Sequence, residues 1–325
     1  MTDRAPAEVL AEAATAAGLA PSALNTQPWR WTVSAQTADL YADRSRQLHQ
    51  ADPDGRMLTV SCGAALHHAR VALAAQGWQA VVDRLPAPPD HLARITLGDH
   101  LGVTPEAMRV FQAAEMRHTD RRPVTDTPVD PAALAEVIAA ARAEAVGAHV
   151  LTPEQVSELA SAAAQADAIA TTDPVSRAEL AHWVGGDRPE GTGLTDAVVP
   201  NRTPQTDVPQ RDFGAPGTLA VGDGHARAAA YLVLFGDTDE PDAWLRAGEA
   251  LSAAWLTAVR LGLTLLPFTA VVEVTTTRQA IRRILAHLGH PYVVFRLGVA
   301  DPEHAGPPHT PRLPTDQVVD EQPDA

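Results

Sequence analysis

Apolar residues recur along this chain with two alternating periods, which predicts a mixed helix-and-sheet fold. Over 6–18 the spacing predicts a helix: Pro6 suits the first turn, Val9 and Leu10 give an apolar face, and Gly18 suits the end. A proline-bearing loop over 20–28 leads into short strands at 29–33 and near 39–42. An Ala-rich helix over 59–76 stops at Gly77, and strands follow at 78–83 and 92–97. A helix from Pro105 runs into the basic stretch Arg117-His118-Thr119-Asp120-Arg121-Arg122-Pro123. Further helices are expected over 131–143, 153–168, 174–183, 242–261 and 277–288, with strands at 228–235, from Leu263, and at 292–297. The Pro-rich tail after Asp301 is expected to drape over the surface.

Between 185 and 217 the periodicity vanishes and Gly, Pro, Thr and Asp dominate. A structureless stretch of that length inside a domain is either a functional lid or disorder. Elsewhere the chain echoes itself. Gly63-Ala64-Ala65-Leu66 is followed by Gly77, and Gly248-Glu249-Ala250-Leu251 by Gly262, each copy ending a helix and entering a strand. Ala-rich helices match one another easily, so chance stays open. A true repeat would make two related halves, 1–110 and 111–325.

Composition narrows the chemistry. With 325 residues, 45% of them hydrophobic, the chain can bury a sizeable core. Its formal charge of −15 disfavours nucleic acid or an anionic membrane as partner. There is no lysine, which excludes a P-loop NTPase and a pyridoxal enzyme with its Schiff-base lysine. A single cysteine, Cys62, forbids an intramolecular disulfide and a Cys-rich zinc site. The opening MTDRAPAEVLAEAA lacks an apolar signal core, and the apolar run 250–272 is broken by Arg260 and Pro267. A soluble, cytoplasmic protein is the expectation.

Two segments carry candidate chemistry. In Ala20-Pro21-Ser22-Ala23-Leu24-Asn25-Thr26-Gln27-Pro28-Trp29, two prolines stiffen a turn whose peptide groups and amide side chain suit a planar heteroaromatic ring. Taken alone, it reads equally as a connector ending in a core tryptophan. In the stretch 117–122, arginines at spacing four flank Thr119, a pattern suited to bidentate grip on a phosphate. A solvated patch neutralised by Asp120 and Glu115 is the alternative.

Together these segments resemble the nitroreductase family. PSALNTQPW is similar to its P-S-x-x-N-x-Q-P-W loop, and RHTDRRP to its Arg-x-Ser/Thr-x-Lys/Arg phosphate segment. LGLTLLPFTA (261–270) resembles its L-G-L-x-x-x-P region, and Pro311-Arg312-Leu313-Pro314 its terminal arginine. In ordinary members the arginine segment comes first and two subunits share each site. Here the loop comes first, so the chain most resembles the Acg-like branch, monomers that imitate the dimer.

The resemblance implies an α+β nitroreductase fold in which two degenerate halves form a pseudo-dimer around one FMN. The phosphate would be held by Arg117, Thr119, Arg121 and Arg312, and the ring contacted by Pro21, Ser22, Ala23 and Asn25. Arg121 near N1 and O2 of the ring would favour the reduced, anionic flavin. Thr269 and Ala270 would lie near N5, where the family has a Glu-Gly pair, a departure that bears on hydride transfer. Arg56 falls about where the family places polar ring contacts. The activity implied is hydride transfer from NAD(P)H through the flavin to a small-molecule acceptor that the sequence leaves unnamed. The alternative is a protein that stores or sequesters FMN beneath the 185–217 lid.

Other features carry less. His67 and His68 are adjacent, so they should point to different sides, and no carboxylate completes a metal site. Gly222-Asp223-Gly224 reads as a turn, and no G-x-S-x-G elbow supports serine catalysis. No metal is expected.

Overall fold

The structure is a computed structural model and describes residues 4–87, 89–186, 188–301 and 306–322. In chain order the elements of the first part are α1 (Pro6–Ala17), β1 (Trp29–Val33), β2 (Thr37–Ala42), α2 (Arg56–Ala75), β3 (Trp78–Ala87), β4 (His91–His100) and α3 (Pro105–Met116). Next come α4 (Pro131–Ala143), β5 (Gly147–Val150), α5 (Pro153–Thr172), α6 (Pro174–Trp183) and β6 (Ala230–Gly236). The remainder is α7 (Pro241–Arg260), β7 (Leu263–Phe268), α8 (Ala270–Glu273), α9 (Thr275–Ile284), β8 (His290–Val299) and β9 (Val319–Glu321). Proline opens α1, α3, α4, α5, α6 and α7, where its missing N–H and fixed φ suit the first turn.

Two sheets form. The first has the order β3-β4-β2-β1-β9, antiparallel except for the parallel β1–β9 pair. The second, antiparallel throughout, has the order β5-β6-β8-β7. Read from the strand that follows each long helix, β3-β4-β2-β1 matches β7-β8-β6-β5. The two long helices, α2 and α7, end before Gly77 and Gly262, whose φ values of 85° and 71° favour glycine. Two main cores form, one around Trp29, Trp31 and Leu66 and the other around Trp255, Leu265 and Phe295.

Between the cores, α2 and α7 cross at the echoed glycines. A Cβ on Gly63 would overlap the carbonyl of Leu245, and one on Gly248 would overlap the carbonyl of Val60. The contact is reciprocal, the pattern expected where equivalent surfaces meet about a twofold axis.

Two expectations need correction. The tail does not drape: β9 pairs with β1, and Leu313, Val318 and Val319 enter the first core. Three residues, two of them acidic, give too short an alternation to read as a strand; they are recruited by the open edge of β1. The adjacent histidines do not diverge either, since Nδ1 of His67 and Nδ1 of His68 both lie on Ser252 Oγ, at 2.8 and 3.0 Å. Among the described residues no helix is long and apolar enough to cross a membrane.

Candidate functional site

A cleft of about 1060 Å³, counted out to its mouth, opens over the crossing of α2 and α7. Its floor is the helix crossing: Met57, Val60, Ser61 and Ala64 of α2, with Leu251 and Trp255 of α7. Residues 21–24 form one wall, Thr119 and Arg121 another, and residues 266–271 a third. Pro209, Gln210, Arg211 and Phe213 cover it, beside Ala163 and Asp167 of α5.

The wall at 21–24 is backbone held in a costly shape. Leu24, Asn25 and Gln27 have φ of 46°, 56° and 49°, a region where non-glycine residues cost roughly 1–3 kcal/mol each. Three parts of the chain hold them there. Ala23 N donates to Ser61 Oγ of α2 at 3.2 Å. Asn25 Nδ2 donates to the carbonyls of Gly193 and Pro311, at 3.1 and 3.0 Å. Gln27 Nε2 donates to Gly191 O at 2.8 Å, and its Oε1 accepts from Leu313 N at 3.0 Å. Asn25 and Gln27 are thus consumed in shaping the loop.

The arginine segment leaves α3 at its C-terminal cap, where Arg117 is extended, and continues without regular structure. Arg117 is 4% exposed and lies over the Trp255 ring at 4.6 Å. Its Nη2 donates to Leu19 O at 3.1 Å, and Nη2 of Arg312 donates to the same oxygen at 3.2 Å. Arg312 Nη1 also reaches Asn25 Oδ1 at 3.1 Å. Arg121 is buried over the ring of Phe213, at 5.3 Å, and donates to Val198 O at 3.1 Å. Among the described residues none of these three guanidiniums has a carboxylate partner, whereas Arg122 pairs with Asp120 at 2.7 Å. Burial, then the neighbouring Arg312, pushes Arg117 down to about 9; burial, then Arg211, pushes Arg121 to about 10; burial pushes Arg312 to about 10. Nε of Arg117 and Nε of Arg312 are buried without a partner. Cations left so exposed to one another suit an anion that brings its own acceptors.

The segment 185–217 is ordered against this site in its described residues. Leu194, Val198 and Val199 form a small core with Leu24, Val184 and Phe213. Gln210 Nε2 donates to Arg121 O at 2.9 Å, and Arg211 pairs with Glu273 at the end of α8.

Of the eleven residues singled out from sequence, Pro21, Ser22, Ala23, Thr119, Arg121, Thr269 and Ala270 line the cleft. Arg117, Asn25 and Arg312 sit together behind that lining, joined through Leu19 O and Asn25 Oδ1. Arg56 points elsewhere: it pairs with Asp239, donates to Pro291 O at 3.1 Å and lies over Trp244. Thr269 has φ −75° and ψ −32°, ordinary helical backbone, so no glycine is required at the start of α8. Missed from sequence were Ser61, Gln210, Arg211, Phe213 and Trp255. The aperiodic run hid those at 210–213, and nothing in its helical surroundings set Trp255 apart.

No family model matches the chain. Among curated proteins, it is 38% identical over 323 residues to a Mycobacterium tuberculosis (strain H37Rv) protein named "Putative NAD(P)H nitroreductase", covering 97% of this chain and 92% of that one. It is 32% identical over 316 residues to the same strain's "Putative NAD(P)H nitroreductase acg", covering 96% and 95%. This chain belongs to the nitroreductase family. Among solved structures, it is similar to the FMN and NADPH-dependent nitroreductase NfnB of Sphigopyxis sp. strain HMH, with 21% identity, a TM-score of 0.41, and 66% and 99% of the two chains covered. In this nitroreductase-family chain the two family-like segments, which begin at Pro21 and Arg117, both reach the same cleft.

Proposed function

We propose that this protein is an FMN-dependent NAD(P)H oxidoreductase in which two halves of one chain hold a single flavin. The observation that carries the reading is the pair of guanidiniums of Arg117 and Arg312 behind the cleft wall, each with a buried, unpartnered Nε and no carboxylate partner among the described residues, with Arg121 and Thr119 on the wall itself. A phosphate dianion supplies the acceptors that their free N–H groups lack. FMN bound there supplies hydride-level redox chemistry to the site. Pro21–Ala23 and the floor residues Val60, Ala64 and Leu251 offer flat, mostly apolar walls that hold a planar ring and exclude water. Thr269 and Ala270 face the same space, on the wall opposite the loop. Arg211, Phe213 and their neighbours act as a lid, so entry of NADH or NADPH and of a small-molecule acceptor depends on its opening. The monomer then imitates the dimer of its relatives, with the crossing of α2 and α7 as its pseudo-twofold axis.

Adding FMN to purified protein should give a yellow complex that binds FMN at least tenfold more tightly than riboflavin, which lacks the phosphate. Anaerobic addition of NADH or NADPH should then bleach it. A protein that takes up no FMN overturns the reading, and a yellow one that no nicotinamide bleaches is a store of FMN instead of a reductase.

A further inference from the structure

Beneath the cleft wall lies a further buried guanidinium. Arg296 is 1% exposed, in the middle of β8, where its neighbours along the strand are apolar. It has no carboxylate partner among the described residues, and its Nε and Nη1 are buried without hydrogen bonds. An isolated buried charge costs several kcal/mol unless something offsets it, so its presence in an otherwise apolar strand calls for a physical reason.

That reason is what Nη2 does. It donates to Asp120 O at 3.1 Å and to Arg122 O at 2.6 Å, the carbonyls on either side of Arg121. Gln210 of the covering segment takes the carbonyl between them, that of Arg121 itself. Three successive carbonyls of a segment without regular structure are thus fixed, two of them from the core. Asp120 is fixed as well, by Arg122 Nε and Nη2 at 2.9 and 2.7 Å. With its backbone pinned on both sides, Arg121 projects onto the cleft wall.

We propose that Arg296 is a positioning residue: by gripping the backbone on both sides of Arg121 it sets that guanidinium, and Thr119 before it, toward the bound cofactor. The inference rests on the flavin reading above. Its consequence is that Arg296, which does not line the cleft, controls both FMN affinity and the reduction potential, because it governs where the charge of Arg121 lies.

The test is a double-mutant cycle with FMN as the probe. In the wild-type background, Arg296→Met should raise the Kd for FMN at least tenfold. It should also weaken the reduced form more than the oxidised one, and a tenfold excess there is a potential lower by about 30 mV for a two-electron couple. In an Arg121→Met background, the same substitution should change Kd and potential by less than threefold and less than about 15 mV. Arg296→Lys retains the charge and a single donor atom; it should bind FMN several-fold more weakly than wild type at a near-wild-type potential, and it is the variant to read if the Met chain does not fold. Wild-type affinity in a folded Met or Lys chain overturns the proposal, and so do additive effects with Arg121→Met. Failure of the wild-type protein to bind FMN is a different result and overturns the flavin reading on which the proposal stands.

Discussion

Arg117 and Arg312 donate to one and the same carbonyl oxygen, that of Leu19, at 3.1 and 3.2 Å. Two buried like charges sharing one acceptor repel each other, and the ligand-free protein bears that repulsion. Removing one of them should therefore leave the ligand-free protein no less stable while stripping it of affinity. Arg312→Met is expected to leave Tm within a few degrees of wild type or above it. Its Kd for FMN should rise about 10- to 100-fold, the loss of a charge-assisted hydrogen bond or two at roughly 1.5–3 kcal/mol. Thermal unfolding with and without FMN, together with a fluorescence titration, checks both halves of the statement.

Gly63→Ala and Gly248→Ala should both destabilise the protein, although Ala is a better helix former than Gly by about 1 kcal/mol. The new methyl would strike the carbonyl of Leu245 in one case and of Val60 in the other, backbone that cannot step aside without parting the helices. A cost of at least 1–3 kcal/mol is expected from overpacking. Urea midpoints decide it, and a midpoint raised in either variant would deny the close crossing.

The carboxyl of Asp52 accepts from Leu58 N at 2.8 Å at the head of α2, and it is buried. Burial pushes it up to about 6, against the backbone hydrogen bonds that pull it down, and Glu273 nearby pushes the same way. Its folded value thus lies above its unfolded value near 4, so the native state binds the extra proton. Wild-type stability from this group is greatest below about pH 4 and declines as pH rises through about 6. Asp52→Asn, which keeps an acceptor but no charge, should be more stable than wild type at pH 8 by on the order of 1–3 kcal/mol. The difference should shrink toward zero at pH 4. Urea unfolding of both proteins at the two pH values measures it, and an equal gain at both would remove ionisation as the cause.

The pair between Arg211 and Glu273 ties the covering segment to α8, and both side chains are largely shielded from water. Glu273→Gln keeps a hydrogen-bond acceptor and discards the charge. FMN should then leave roughly tenfold faster, on the order of one charged hydrogen bond. Bleaching by NADPH or NADH should also quicken if opening limits entry. Stopped-flow absorbance follows both; unchanged rates would show that the segment opens without breaking this pair.

Much of the site could be read from residue order because it depends on local stiffness. The prolines at 21 and 28 announce a rigid turn, and the guanidiniums at 117 and 121 announce an anion grip. The long helices and their terminal glycines follow from the 3.6-residue period, and the Gly63 and Gly248 echo marks the two residues that meet where α2 and α7 cross. What escaped was set by distant partners. Arg56 is drawn away by Asp239, some 180 residues on, which no local pattern encodes. Asn25, read as a ring contact, spends its amide on Gly193 and Pro311. Arg296 did leave a trace, a lone charge inside the apolar run 292–297, but only the carbonyls it meets give that charge a purpose.

The strand at Val319–Glu321 is synthesised after every other strand of the sheet it completes. Arg312, just ahead of it, is likewise made after the residues it meets and must travel back to Leu19. Until residues 312–321 have been made, β1 is bare along one side and the carbonyl of Leu19 holds one guanidinium instead of two. Cutting the chain ahead of Arg312 would strip both at once, the strand that closes the edge of β1 and one of the two guanidiniums on Leu19 O.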